Sequence, residues 1–121
     1  VRGLDALLSY QNYPILAAQL STEKRRPLGV GIINFAYWLA KRDMNYQDVD
    51  ATGLALIDEY AEAWSYYLIK ASADLAAEQG APSGNMETKY GHGITPNQTY
   101  KKDVDELVPH MERMDWEGLR E

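Results

Sequence analysis

Apolar residues recur along this chain mainly at helical spacing. Between Leu54 and Leu75 they fall at Leu54, Ile57, Ala61, Trp64, Leu68, Ala71 and Leu75, in alternating steps of three and four. That spacing lays all seven on one stripe of a helix. Tyr60 and Tyr67 widen the stripe, while Asp58, Glu62, Lys70, Asp74 and Glu78 fall on the other faces. Gly80 supplies a C-cap and Pro82 prevents continuation. With many alanines and tyrosines and few heptads, the stripe predicts a helix packed on its own protein, not a coiled coil.

The remaining pattern is weaker. Leu4, Leu7 and Leu8 predict a first helix from about Arg2 to Asn12, stopped before Tyr13-Pro14 because a residue preceding proline avoids the helical region. Residues 15–24 read as a polar, alanine-bearing connection. Arg26 to Ile33, with Gly29 and Gly31 inside a short apolar run, predicts a buried strand. Asn34 is expected to cap a helix from Phe35 to about Arg42, followed by a polar, turn-like stretch over 43–52. Residues 81–98 read as a loop punctuated by Gly84, Gly91, Gly93 and Pro96. A short helix over Tyr100–Val108, with Val104, Leu107 and Val108 inward, ends at Pro109. Asp115 caps a last helix opened by Trp116. The expected fold class is mainly α with one short buried strand. Helical pattern begins at the second residue, and one turn of helix after Trp116 does not hold itself. Both observations favour a segment of something longer over a trimmed domain.

Composition narrows the classes. The 121 residues carry 12 basic and 18 acidic groups, a net charge of −6. Apolar residues make 45% and charged residues 25%, which excludes a disordered or low-complexity chain. No apolar run approaches the ~20 residues of a membrane helix. The absence of cysteine removes disulfides, thiolate zinc sites and thiol chemistry from these residues. The acidic surplus lies in the second half and argues against phosphate-backbone binding. Lys24-Arg25-Arg26 is the only basic run, short enough to be salt-bridged structure. With no targeting pattern, a cytoplasmic location is expected.

Candidate chemistry is sparse. Gly29-Val30-Gly31 sits where a phosphate loop would, but Asn34 stands at the third glycine position and no Walker lysine or serine follows. Close backbone packing is the reading it supports. His92 and His110 belong to no metal-binding spacing, and Pro109 separates His110 from Glu106. Asp58, Glu59 and Glu62 lack the histidine partners of a helical dimetal site and read as a hydrated face. Trp64, Tyr60 and Tyr67 read as packing residues rather than radical or stacking groups. No catalytic, cofactor-binding or metal residue is assigned.

Three stretches together carry a resemblance. They are Val1-Arg2-Gly3-Leu4-Asp5-Ala6-Leu7-Leu8 through Tyr13-Pro14, Arg25-Arg26-Pro27-Leu28 through Trp38-Leu39-Ala40-Lys41, and Tyr66-Tyr67-Leu68-Ile69-Lys70-Ala71-Ser72 through Glu78-Gln79-Gly80-Ala81. The last continues in Gly93-Ile94-Thr95-Pro96, Thr99-Tyr100-Lys101-Lys102-Asp103 and Asp115-Trp116-Glu117. In order and spacing the chain resembles the large (alpha, catalytic) subunit of aerobic class I ribonucleotide reductases of bacterial or phage type. The likeness covers nearly the whole chain, and 28–41 is its most specific part. Pro82-Ser83-Gly84 departs from relatives, which often show a cysteine and aromatic residues there.

The resemblance implies an internal, structural segment of an enzyme that reduces ribonucleoside diphosphates by thiyl-radical chemistry, inactive alone. It implies a segment of a ten-stranded α/β barrel over 1–92, with Arg26 to Ile33 as one barrel strand. Residues 93–121 would form part of a small helical insertion. The reactive cysteines, their glutamate partner, the phosphate loop and the radical-relay tyrosines would lie outside these residues, leaving no cofactor in this segment. Implied partners are the remaining large-subunit segments, a second large subunit, and a small subunit carrying a dimetal-tyrosyl radical. Nucleotide substrates and effectors would bind elsewhere; neither nucleic acid nor membrane is expected. The alternative is a stand-alone helical interaction module docking through the Leu54–Leu75 stripe. A split large-subunit gene lies between the two.

Overall fold

The computed structural model describes residues 1–99 and 110–120; the helix expected over Tyr100–Val108 lies outside them. Among the described residues the chain forms α1 (Arg2–Tyr10), α2 (Leu16–Arg25), α3 (Phe35–Ala40), α4 (Ala51–Gln79) and α5 (Trp116–Arg120). Three short 3-10 turns at Asn85–Glu87, Tyr90–His92 and Pro96–Gln98 lie between α4 and α5. The architecture is mainly helical, as the apolar spacing implies.

The long helix α4 is the spine, and local chemistry sets both its ends. Asp50 caps the start, its side chain accepting from Gly53 N at 2.7 Å. Gly53 is buried, and a Cβ there would lie 2.5 Å from Met44 Sδ and 2.9 Å from Val49 Cγ1. The helix therefore opens three residues ahead of the apolar stripe, inside the stretch expected to be turn-like. At the other end Gly80 adopts φ +89° and donates its N–H to Ala76 O, ending the helix as expected. The stripe itself is only partly covered. Leu75 is buried, Ile57, Trp64, Leu68 and Ala71 are half-buried, and Leu54 and Ala61 are exposed.

Two expectations fail here for physical reasons. Residues 16–25 form α2, not an irregular connection. Leu16, Ala17, Ala18, Gln19, Leu20, Glu23, Lys24 and Arg25 are mostly strong helix formers, and that propensity outweighs the weak amphipathic pattern. The helix ends on Arg26, in the left-handed region at φ 45°, whose N–H donates to Thr22 O. The buried strand over Arg26–Ile33 does not form: residues 26–34 take no regular structure, and no strand is present among the described residues. A strand exists only through ladder hydrogen bonds to a neighbour, and the described residues supply none. Val30, Ile32 and Ile33 are instead exposed, Ile33 by 86%.

The cap of α3 also differs from expectation. Asn34 sits in the left-handed region at φ 60°, not the extended region usual for a capping residue, and makes no side-chain capping bond. Its carbonyl still accepts from Trp38 N. The helix closes at Ala40 instead of Arg42.

Aromatic rings and ion pairs join these elements. Phe35 stacks on Trp38 at 5.5 Å, Trp38 meets Tyr60 at 5.2 Å, and Tyr60 meets Trp64 at 6.4 Å, so rings tie α3 to α4. The Arg42 guanidinium lies 3.9 Å from the Trp38 ring centre. Tyr66 meets buried Trp116 edge-on at 5.3 Å, tying α4 to α5. Arg26 donates to Asp5 Oδ1 at 2.6 Å, Asp5 O at 2.7 Å and Ser9 Oγ at 2.9 Å, fixing α2 on α1. Lys24 and Arg25 both pair with Glu87, and Gly84 N donates to Lys24 O. The basic run is thus salt-bridged, although it enters no strand.

Leu39, with 1% of its surface exposed, is a fully buried apolar residue of the core. Leu39→Ala should lower unfolding stability by about 2–5 kcal/mol. Ile33→Ala, at an exposed position, should change it by less than about 0.5 kcal/mol. Urea denaturation followed by tryptophan fluorescence measures both.

Candidate functional site

Functional side chains gather in one place, on the polar side of α4. Asp58 and Glu62 stand one helical turn apart, so their carboxylates project side by side. The chain from His110 to Trp116 crosses over them. Asp58 Oδ1 lies 2.6 Å from His110 Nδ1, and Asp58 Oδ2 accepts from Arg113 Nη1 at 2.8 Å. Glu62 Oε1 accepts from Arg113 N at 2.7 Å, Met114 N at 3.1 Å and Trp116 Nε1 at 2.9 Å. Its second oxygen lies 3.4 Å from Arg113 Nη1.

Glu62 is 5% exposed, an unusual depth for a carboxylate. Burial by itself would raise its pKa, but the Arg113 and Met114 amides and the Trp116 indole overcome this and hold it below the ordinary value. Asp58 behaves alike: burial opposes ionisation, and the Arg113 and His110 contacts prevail and lower it. Arg113 is correspondingly raised, chiefly by its bond to Asp58. Every buried side-chain nitrogen or oxygen among the described residues has a partner. The cluster therefore works as a fastener. Each of its carboxylate oxygens has a nitrogen partner.

The same segment is held from its far side. Arg120 donates to buried Thr95 Oγ1 through Nη2 at 3.1 Å, and Asn97 bonds Glu112. Asp115 Oδ1 accepts from Gly118 N at 2.9 Å, the expected cap of α5.

The other residues weighed from sequence do not converge on a site. Exposed His92 lies in the 3-10 turn Tyr90–His92, away from His110. Glu106 lies outside the described residues. A Cβ on Gly29 or Gly31 would meet nothing within 4 Å, so the close packing expected there is not provided by the described residues. Glu59 is exposed, but Asp58 and Glu62 do not form the hydrated face expected of them. The signal for their burial was a set of donors 51 to 55 residues away, which helical periodicity cannot see. Among the described residues no group of three or more His, Cys, Asp or Glu could hold a metal ion. A cleft of about 340 Å³ lies where α1, α2 and the end of α4 meet, lined by Arg2, Asp5, Ser9, Arg26, Leu75 and Gln79 among others. Its charged groups are already paired, Arg26 with Asp5 and Arg2 with Glu78. No described helix is long and apolar enough to cross a membrane.

Comparison with known proteins supplies what the site does not. The family described as "Ribonucleotide reductase, barrel domain" matches residues 1–121. The ribonucleoside-diphosphate reductase subunit alpha of Haemophilus influenzae is 52% identical over 120 residues, 99% of this chain and 16% of that protein. The ribonucleoside-diphosphate reductase 1 subunit alpha of Salmonella typhimurium is 54% identical over 114 residues, 94% of this chain and 15% of that protein. The phage T4 subunit alpha is 40% identical over 121 residues, 100% of this chain and 15% of that protein. The chain thus spans about one-sixth of the curated relatives it matches.

Removing the Glu62 carboxylate should free the 110–116 crossing. Glu62→Ala leaves two backbone amides and one indole N–H without their acceptor, costing about 3 kcal/mol or more. Glu62→Gln keeps an acceptor and should cost less. Because the Asp58 and Glu62 pKa values are lowered in the fold, their stabilisation is complete above about pH 5 and fades as pH falls through the depressed values. Denaturation midpoints from pH 7 to pH 3 should fall more steeply in the unsubstituted chain than in Glu62→Gln.

Proposed function

This chain belongs to the ribonucleotide reductase barrel-domain family, and on that footing we propose that it is a structural segment of a ribonucleoside-diphosphate reductase alpha subunit. The observation that carries this reading is the family match over the whole chain, joined to relatives about six times longer. The surface agrees with it. Leu7, Tyr10, Ile15, Leu16, Leu20 and Ile33 are each more than half exposed, apolar side chains that further protein would cover.

On this reading residues 26–33 join a barrel as a strand once neighbouring segments offer their edges, and α3 and α4 pack outside it. Residues 1–92 belong to the barrel and 93–121 to a small helical insertion. The reduction of ribonucleoside diphosphates to deoxyribonucleotides is the activity of the whole assembly. Its thiyl radical and redox cysteines come from other segments, since this chain contains no cysteine. A dimetal-tyrosyl cofactor would sit on a separate small subunit; no described cluster here fits a metal. The remaining large-subunit segments, a second alpha subunit and that small subunit are the proposed partners. Nucleotide substrates and effectors bind elsewhere in a cytoplasmic enzyme. What this chain's own residues do is mechanical: α4 is the spine, and Glu62 and Asp58 hold the lead into α5.

The stand-alone docking module has less support, because Leu75 is buried and Trp64 and Leu68 are half-buried by the chain itself.

The isolated chain should show no diphosphate reduction, and adding the flanking alpha segments and the small subunit should restore it. An assembled complex that stays inactive would count against the proposal. Within the complete alpha subunit, Ile33→Glu should reduce activity about tenfold or more, since it places a charge where a barrel would bury an apolar residue. In the isolated chain the same change should leave helicity untouched. Full activity in Ile33→Glu would refute the barrel placement of 26–33.

A further inference from the structure

A thioether closes the turn between α3 and α4. Met44 N donates to Leu39 O at 3.1 Å, and the Met44 side chain packs on Gly53, where a Cβ would lie 2.5 Å from the sulfur. One residue thus ties fully buried Leu39 to the first turn of the long helix. Met44 is half-buried and lines a cleft of about 320 Å³ with Arg42, Asp43, Asp48, Asp50 and Thr52. The cleft gives a small peroxide a route to this residue. We infer that Met44 is a modification site, at which oxidation to the sulfoxide loosens the start of α4.

The chemistry is an oxygen-atom transfer. The O–O bond of a hydroperoxide ROOH breaks, one oxygen forms the S=O bond on Met44, and ROH leaves. The sulfur gives up two electrons and the peroxide takes them. An apolar thioether becomes a polar group that needs a hydrogen-bond donor. The groups packed at that point offer it none. Asp50 Oδ1, 3.3 Å from the same Cβ position, is itself an acceptor and already takes the Gly53 N–H at 2.7 Å. Val49 Cγ1, at 2.9 Å, is apolar. Of the donors lining the cleft, the Arg42 guanidinium lies over the Trp38 ring and bonds Trp38 O at 3.2 Å, and Thr52 is exposed to solvent. Relief comes by leaving Gly53 or by taking its N–H from Asp50, and each weakens the first turn. Met86 and Met111, 61% and 65% exposed, already face water and lose little on the same change.

Hydrogen exchange with mass spectrometry on the complete alpha subunit carrying this segment tests it, after partial oxidation with hydrogen peroxide. A peptide spanning 44–57 holds both the sulfur and the opening turns of α4, so its oxidised and unoxidised forms are separated by mass and compared within one sample. Exchange over 51–57 should be about fivefold or more faster in the oxidised form, the scale of a lost helix cap. Met44→Leu is close in volume and has no sulfur to oxidise, so its exchange over 51–57 should be the same with and without peroxide. Equal exchange in the two forms, a peroxide-dependent rise in Met44→Leu, or a Met44 that stays reduced while Met86 and Met111 are fully converted would each overturn the inference.

Discussion

A carboxylate stays inside a protein only if donors there replace the water it has lost. Glu62 meets that constraint by drawing three N–H groups to a single oxygen. Much of the second half of the chain follows. To reach Glu62, the segment from His110 must cross α4 in one register, which places Trp116 edge-on to Tyr66 and leaves it 3% exposed. That register also aligns α5, whose Arg120 reaches back to Thr95. One buried charge thus orients two elements and a loop that are far apart in sequence.

The first half rests on different physics. There the joints are aromatic faces and a single arginine. Arg26 spends its left-handed backbone and guanidinium on Asp5 and Ser9, locking α2 to α1. Phe35, Trp38, Tyr60 and Trp64 link α3 to the spine. Between these joints, residues 26–34 make no regular structure and turn Ile33 outward. The apolar character of 28–33 is that of a buried element, while its surroundings among the described residues are open. The barrel context proposed above would resolve that mismatch, and the matched relatives are of greater length.

Elements governed by short-range rules were legible in the sequence. The apolar spacing of α4 and its Gly80 end, the stop of α1 before Tyr13-Pro14 and the Asp115 cap all depend on residues within a few positions. Where the described structure departs from local pattern, the partners lie beyond that range. Asp58 and Glu62 looked hydrated because their donors lie more than fifty positions away. Residues 26–33 looked like a strand because β-branched and glycine-rich runs suit sheets, yet pairing requires an edge that local pattern cannot supply. The connection expected over 15–24 departs the opposite way: in Leu16–Arg25 intrinsic helix propensity prevails over a faint amphipathic pattern.

The 29 residues of α4 extend about 44 Å end to end. Its attachments are widely separated along that length. Met44 and Val49 crowd Gly53 at one end, the carboxylate pair grips near the middle, and Arg2 holds Glu78 at the other. A rod held at such intervals acts as a lever arm. A tilt of about 5° at the Gly53 pivot would carry the Glu78 end through about 3 Å, given a rise of ~1.5 Å per residue. The close approach of Met44 and Val49 to Gly53 is therefore a bearing, and its tightness sets the angular accuracy with which the far end meets α1.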